Sequence, residues 1–450
     1  LAAGLVVAVA GASIALALRL TPMQSVRALG ETVDVGVTAP SASLSGPGEL
    51  DLFGQSFPTV PDFTGPVRPR LELAQITIDR EVRTLVQPRQ GGRSPVTFLG
   101  EQLTAGWMRF FLWEALITAV CAVVLLGAIA GWRRLSVRTS VLMVTLGLLF
   151  TEGINLGLVM VSAYSAPSVL RHVSSLEALV GTYAPIPKPA PSGAPLPGVQ
   201  VVVMGDSTAA GTGNPPITNA TAVDSACGRS VDSYGADLAV VNGWNVLNLA
   251  CSGATITHGI LGPQTVGGQV VPPQFGVAEQ ARHASVVIVS VGADDLDWDA
   301  LVRLCASQPS CDDNASTALF QQLLAVFTPS YDQLLRALAA LPSHPAVIVN
   351  LYYQPFDPEL RCLDRVGLTG PKEQVLRSRL STLNQVLAQG ASTFGFIAVQ
   401  PRFTGHQLCS AQPYVQGLHD PAPFHPTASG ELAIALADER ALSSARPLGR

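Results

Sequence analysis

The sequence predicts an α/β domain with a parallel sheet and helices on both faces, preceded by three membrane-length helices and a small β-rich module. Three observations carry this reading. Apolar residues make up 48% of the 450 residues and charged ones only 13%, and mean hydropathy is +0.35, a balance too apolar for an ordinary cytosolic enzyme. The apolar runs are of two kinds: long ones before about residue 165, and short ones bounded by Gly and Pro after about residue 199. Every cysteine except Cys121 lies in the carboxyl-terminal half.

The first span is placed at residues 1–20, where Leu1 to Leu18 carries no charge and Arg19 closes the run. No small-x-small cleavage site followed by an obvious mature terminus stands out after it, so it reads as a retained helix rather than a removed leader. The second span is placed at 107–132 and the third at 140–164, each near the ~20 residues needed to cross the hydrocarbon core. Arg133, Arg134 and Arg138 make the loop 133–139 the most basic patch near these spans, so it is placed in the cytoplasm. The stretch 21–106 and everything after about Ser165 then lie outside. Glu114 and Glu152 fall inside the spans, where carboxylates are functional candidates by default. Neither span holds a cation to pair with them, so Glu114 reads as hydrated near an interface and Glu152 as facing a neighbouring helix.

Between the first two spans, Val33 to Val37 and Leu71 to Ile78 alternate apolar and polar residues, the period of strands with one buried face. A small β-rich module is expected there, with no cluster of catalytic residue types. Residues 165–198 read as a linker, and Ala184 to Gly198 is so rich in proline that an extended, semi-rigid spacer is expected. Such a spacer lifts the last domain off the lipid surface.

Cys121 lies in an apolar run and reads as a buried free thiol. Cys227, Cys251, Cys305, Cys311, Cys362 and Cys409 include no CxxC pair and no metal-ligand spacing. They read as three disulfides in an oxidising compartment, in agreement with the outside placement drawn from the arginines. Six cysteines allow fifteen pairings. Order along the chain makes Cys227–Cys251, Cys305–Cys311 and Cys362–Cys409 the simplest. Net charge is −5 with no basic tract, so nothing points to nucleic acid.

The chemistry is concentrated in residues 199–450. The apolar run Val199 to Met204 reads as a buried strand and leads straight into Gly205-Asp206-Ser207. Open α/β sheets place their reactive groups at such carboxyl ends of strands. Further strands are expected at Trp244–Leu249, Ser285–Val291, Ala346–Tyr352 and Phe396–Val399, with helices between them, among them Ser330–Leu341 and Lys372–Gln389. A serine hydroxyl needs a base to become a nucleophile, and histidine is the usual one near neutral pH. Of the seven histidines, His425 alone lies in a Pro-flanked turn that leads into a helix.

Four short blocks give this stretch a specific likeness. Gly205-Asp206-Ser207, Asn248 to Thr255, Val291 to Leu296 and Phe424 to Gly430 occur in the order found in the SGNH/GDSL hydrolases. The stretch from about Val199 to Leu442 resembles that family, in particular its disulfide-containing actinobacterial esterase and lipase branch. The resemblance implies a three-layer α/β/α fold, Ser207 as nucleophile and His425 as base. It also implies an oxyanion hole drawn from the N–H groups of Ser207 and Gly253 and from the residue at 294.

Two positions depart from the family pattern. Asp294 stands where the family has an asparagine that donates to the oxyanion, and an ionised carboxylate only accepts. Either Asp294 is held protonated or the backbone N–H groups suffice. The acid usually found three residues before the histidine is replaced by Ala422, leaving Asp420, or a backbone carbonyl near Ala422, to orient the ring. The leading expectation is therefore a membrane-anchored, extracytoplasmic serine ester hydrolase, without metal or cofactor, acting on acyl or acetyl esters of lipid or glycan type. An acyltransferase and a non-catalytic envelope binding protein are the alternatives.

Overall fold

A computed structural model describes residues 2–28, 30–77, 95–173, 175–176, 179–180, 186–357, 359 and 361–445. Ile78, the start of the Pro-rich run at Ala184 and Pro185, and the tail 446–450 lie outside the described residues. Two compact units result, one of residues 1–52 and 56–183 and one of residues 53–55 and 184–450.

The first unit contains a five-stranded sheet of β1 (Gln24–Ala28), β2 (Glu31–Val37), β3 (Ser45–Leu52), β4 (Gln55–Thr64) and β5 (Pro69–Ile76), in the order β1-β2-β5-β3-β4. The alternation has the effect its period predicts: Val33, Val35, Leu71 and Leu73 are buried on one face. A helix from Pro95 to Trp132 packs on that sheet and then runs on as an apolar rod. It starts well before residue 107. Polar residues interrupt the apolar run in 95–106, yet Leu99, Leu103 and Trp107 recur every four residues and are buried as one stripe. Gly106 lies against Val26 and Val35, close enough that a Cβ would meet Val26 at 2.7 Å.

A second long helix, Val137–Leu170, is capped by Ser136, whose hydroxyl accepts from the Thr139 N–H. Arg138 therefore sits in its first turn rather than in a loop, and the helix continues past residue 164. Two helices, Leu99–Trp132 and Val137–Leu170, are long and apolar enough to cross a membrane, while Gly4–Leu20 is a shorter apolar helix. Of the three expected spans, two reach that length among the described residues, and the first is present as the apolar helix Ala2–Leu20. Glu114 is not at a hydrated interface. It is fully buried, and its carboxyl accepts from Thr118 Oγ1 at 2.9 Å and from Asn155 Nδ2 of the neighbouring helix at 3.0 Å. Glu152 is half-buried, and Cys121 is a free, half-buried thiol.

The second unit is a doubly wound α/β domain. Its strands are β6 (Val201–Gly205), β7 (Val246–Asn248), the hairpin β8 (Gln264–Val266) and β9 (Gln269–Val271), β10 (Val286–Ser290), β11 (Ala346–Asn350) and β12 (Ile397–Val399). The main sheet has the order β12-β11-β10-β6-β7, every pair parallel. β6 and β10 are buried at every residue, as strands covered on both faces must be. Val201, Val203, Val286, Ile288 and Ile348 pack with Tyr234, Leu238, Ile434 and Leu442 of the helices Tyr234–Asn242 and Ala428–Ala445. The helices Asn314–Ala339 and Gly370–Thr393 pack together, the latter also against β11 and β12. The first of these runs through Pro329 and begins well before Ser330, where the sequence places its start.

From β6 the chain moves outward to β7, then returns to the other side of β6 as β10. The carboxyl ends of β6 and β10 therefore flank the crevice where open α/β sheets bind ligands.

All six cysteines of this unit are paired: Cys227–Cys251, Cys305–Cys311 and Cys362–Cys409. The Pro-rich run forms neither helix nor strand and does not stand free. Ser192 N–H donates to Gly276 O at 2.9 Å, Leu196 N–H to Gln280 O at 3.0 Å, and Lys188 Nζ lies 2.7 Å from Glu279. Proline removes donors from this run, yet the remaining N–H groups still need partners. They find them on the domain that follows, so 186–198 is no free spacer.

Candidate active site

β6 ends at Gly205, where no larger residue fits: a Cβ there would meet Ser290 O at 2.4 Å. The buried Gln274 amide clamps this residue on both sides, accepting from the Gly205 N–H at 2.8 Å and donating to its carbonyl at 2.9 Å. Asp206 then caps the single turn Ser207–Ala210 by accepting from the Thr208 N–H at 2.9 Å, and it also accepts from the Tyr352 hydroxyl. Ser207 is thereby held at the crevice edge by the two hydrogen-bonded residues that precede it.

His425 reaches the same edge from the loop before the last helix. Its Nε2 lies 2.8 Å from Ser207 Oγ, and its Nδ1 lies 3.0 Å from the Pro423 carbonyl. A carbonyl only accepts, so Nδ1 carries the ring proton and Nε2 presents a lone pair to the serine hydroxyl. Phe424 takes a left-handed φ of 68° to bring Pro423 back against its own neighbour's ring. Two side chains fix that bend. Tyr353 OH donates to Phe424 O at 2.7 Å, and Gln416 Nε2 donates to Pro426 O and to Thr212 O, each at 2.9 Å.

Asp420 is not brought to His425. Its carboxylate accepts from the Gly417 N–H at 2.6 Å and closes a local turn. The four residues between the two are held by the Gln416–Ala422 and Gln416–Phe424 hydrogen bonds, leaving the Pro423 carbonyl beside Nδ1.

The third wall is the loop after β7. Asn248 Oδ1 accepts from the Ala250 N–H, Arg229 donates to the carbonyls of Leu249 and Ala250 at 2.9 Å, and the Cys227–Cys251 bond ties the loop to the helix Ala222–Cys227. Gly253 follows with a left-handed φ of 76°, and its N–H faces the Asp294 carboxyl. Burial first, and then the negative charge of Asp206, push Asp294 up to about 8. Burial likewise raises Asp206 to about 6, against the donors Tyr352 and Thr208, and Asp295 to about 7, against the Ile256 N–H.

Ser207, Gly253, Asp294 and His425 line one cavity of about 300 Å³ whose walls include Trp298 and Tyr353. Tyr352 and Gln274 escape sequence reading. Tyr352 lies two residues past β11, at the carboxyl end of a sheet strand, so the positional rule that draws attention to Ser207 also covers it. Nothing in the sequence around Gln274 marks its role.

A serine and an acceptor imidazole at the switch point of a doubly wound sheet define the serine hydrolases of this architecture. Residues 203–433 match the model of the GDSL-like Lipase/Acylhydrolase family, and the chain belongs to that family. It is 27% identical over 241 residues to Lipase 1 of Streptomyces coelicolor, covering 51% of this chain and 81% of that protein. A lipase of Streptomyces rimosus is 26% identical over 236 residues, with the same shares covered. Among solved structures, the extracellular lipase of Streptomyces rimosus is similar, with a TM-score of 0.44 and 23% identity, covering 55% of this chain and all of that one. The chain is a serine ester hydrolase of this family.

Proposed function

We propose that this protein is a membrane-anchored hydrolase of acyl esters of lipid or glycan type that works on the outer face of the membrane. The observation that carries the chemistry is the Ser207 Oγ–His425 Nε2 contact of 2.8 Å, with the Pro423 carbonyl fixing the ring proton on the far nitrogen. In this reading Ser207 Oγ attacks the ester carbonyl carbon while Nε2 takes its proton. The N–H groups of Ser207 and Gly253 receive the oxyanion. Nε2 then protonates the departing alkoxide, leaving an acyl-serine. Water, deprotonated by the same nitrogen, attacks that ester, and Nε2 returns the proton to Ser207 Oγ as the acid leaves. The Pro423 carbonyl holds the ring through each step.

Anchoring rests on the two long apolar helices, which carry exposed Leu112, Leu116, Val120, Leu142, Leu146 and Leu149. The outside placement rests on Arg133, Arg134 and Arg138 at the turn between them, and on three disulfides in the second unit. Two similar proteins are lipases, and an aromatic-walled cavity of about 300 Å³ suits a short acyl group.

The test uses the full chain in detergent with short-chain nitrophenyl esters and a serine-directed phosphonate. Turnover and labelling are expected in the native chain, with a loss of at least ~10³-fold in Ser207→Ala and in His425→Ala. Equal turnover in Ser207→Ala removes this mechanism. Glycosyl alcohols added to the assay distinguish hydrolysis from acyl transfer by the product that accumulates.

A further inference from the structure

We infer that the two long apolar helices hold a binding site for a small monovalent cation of the sodium kind, between Glu114 on one and Thr151, Glu152 and Asn155 on the other. The site goes beyond the ester chemistry of the second unit and does not use it. Its residues are spaced to meet. Thr151 and Asn155 lie four apart and Glu152 and Asn155 three apart, so all three share one side of the helix Val137–Leu170. Glu114 and Thr118 are four apart on the helix Pro95–Trp132. The two helices pack on each other. Across that contact Asn155 Nδ2 donates to Glu114 Oε2 at 3.0 Å, while Thr118 Oγ1 donates to Glu114 Oε1 at 2.9 Å. The Glu152 carboxyl lies against the same Asn155 amide.

These bonds leave a set of oxygens over. Asn155 is 1% exposed, and its Oδ1, on the amide that touches Glu114, is buried without a hydrogen-bond partner among the described residues. Glu152 Oε1 is in the same state. So is Thr151 Oγ1, on a side chain that is 0% exposed. A buried helical threonine ordinarily turns its hydroxyl back to the carbonyl four residues earlier. Thr104 and Thr328 do so in this protein, each at 2.8 Å. Thr151 does not.

Charge is out of balance at the same place. Glu114 is 0% exposed, and both its oxygens accept from donors that carry no charge. No lysine, arginine or histidine occurs between Arg109 and Arg133 on its helix, or between Arg138 and Arg171 on the other. A buried carboxylate is costly without a positive partner, and an ionisable group among membrane helices marks an ion site by default.

One cation meets both demands. It balances Glu114 and takes lone pairs from Asn155 Oδ1, Thr151 Oγ1 and Glu152 Oε1. An all-oxygen set suits a hard ion and not a thiolate- or imidazole-seeking metal. Glu114 is the fully buried carboxyl of the pair, so the charge to be balanced is one. A proton on Glu114 balances the charge too, but it leaves Thr151 Oγ1 and Glu152 Oε1 without a partner.

The experiment is equilibrium dialysis of the full chain in detergent, at about pH 8 in choline chloride, against radioactive sodium. One sodium per chain is expected to bind, displaced by unlabelled sodium and not by choline. Glu114→Gln is expected to abolish binding. Thr151→Val keeps the side-chain shape and removes only the oxygen, so it is expected to fold as the native chain does and to raise the sodium Kd at least ~10-fold. Helix content by circular dichroism checks each variant. No saturable sodium binding in the native chain overturns the inference, as does an unchanged Kd in both variants. Displacement by calcium at lower concentration than by sodium overturns the single charge. Thermal midpoints in choline and in sodium test the proton: a midpoint that rises on acidification and ignores sodium assigns the balance of Glu114 to a proton and overturns the site, whereas a rise of about 5 °C in saturating sodium, absent from Glu114→Gln, supports it. A chain without ester turnover leaves the test intact, since neither readout involves Ser207.

Discussion

The Tyr352 hydroxyl donates to the Asp206 carboxylate and at the same time accepts from the Ala293 N–H at 2.9 Å. Asp206 immediately precedes the nucleophile, and Ala293 immediately precedes Asp294. One phenol therefore ties the loop after β6 to the loop after β10 across the crevice. Tyr352→Phe keeps the ring and removes the tie, leaving two buried groups unpaired at a cost of about 1–3 kcal/mol each. A fall in kcat of about 10–100-fold with KM within about threefold is expected, because alignment and not binding is lost. An unchanged kcat would reduce Tyr352 to a wall residue.

Asp420→Asn is expected to leave kcat/KM within about threefold of the native value. Its carboxylate serves the Gly417 N–H, and the Pro423 carbonyl faces His425 Nδ1. Were Asp420 the acid that steadies the imidazolium, its loss would cost about 10⁴ in kcat. The two outcomes are far apart, so a single steady-state measurement decides.

Arg229 holds the loop that carries Gly253. Its Nε and Nη2 donate to Ala250 O and Leu249 O, and its Nη1 lies 2.8 Å from Asp224. Lysine has no planar fork to reach all three. Arg229→Lys is expected to lower stability by about 1–3 kcal/mol and to reduce kcat while the Cys227–Cys251 bond keeps the fold. Denaturant titration and a kinetic assay read the two effects separately, and loss of neither would show that the disulfide alone positions the loop.

The four chemical blocks are legible in the sequence because each joins an apolar strand or a helix start to a rare combination of residue types. The order of Ser207, Gly253, Asp294 and His425 along the chain follows the order of strands, so the sheet brings them together by topology. What misleads is local distance. Asp420 lies five residues before His425 and turns away, because the partner that holds it is a backbone N–H that no residue type announces. Proline content marks 186–198 as lying outside helices and strands, but its backbone partners on Gly276 and Gln280 are independent of side-chain identity. The helix starting at Pro95 is missed because a membrane pattern seeks unbroken apolarity, whereas Leu99, Leu103 and Trp107 need only one apolar face. Gln274 lies beyond sequence reading altogether: an amide clamping a backbone 69 residues earlier has no local signature.

The buried acids of the second unit make its stability fall as pH rises. Burial pushes Asp438 to about 8 against a hydrogen bond from Asn350, raises Asp294 and Asp295 to about 8 and about 7, and lifts Glu431 well above its ordinary value. An unfolded aspartate releases its proton near pH 4, whereas these groups keep theirs in the fold. Between those limits the folded state binds more protons than the unfolded one, so raising the pH favours unfolding. The effect is absent below about pH 4 and levels off once the folded groups have themselves ionised. With disulfides intact, the urea midpoint of this unit is expected to drop steadily from about pH 5 to about pH 9. Asp438→Asn keeps a neutral side chain beside Asn350 and removes one titrating proton, so it is expected to flatten that slope and to gain on the native chain as pH rises. A midpoint that rises over this range, or a slope unchanged in Asp438→Asn, would mean that these carboxyls are ionised in the folded protein and held by partners other than those described.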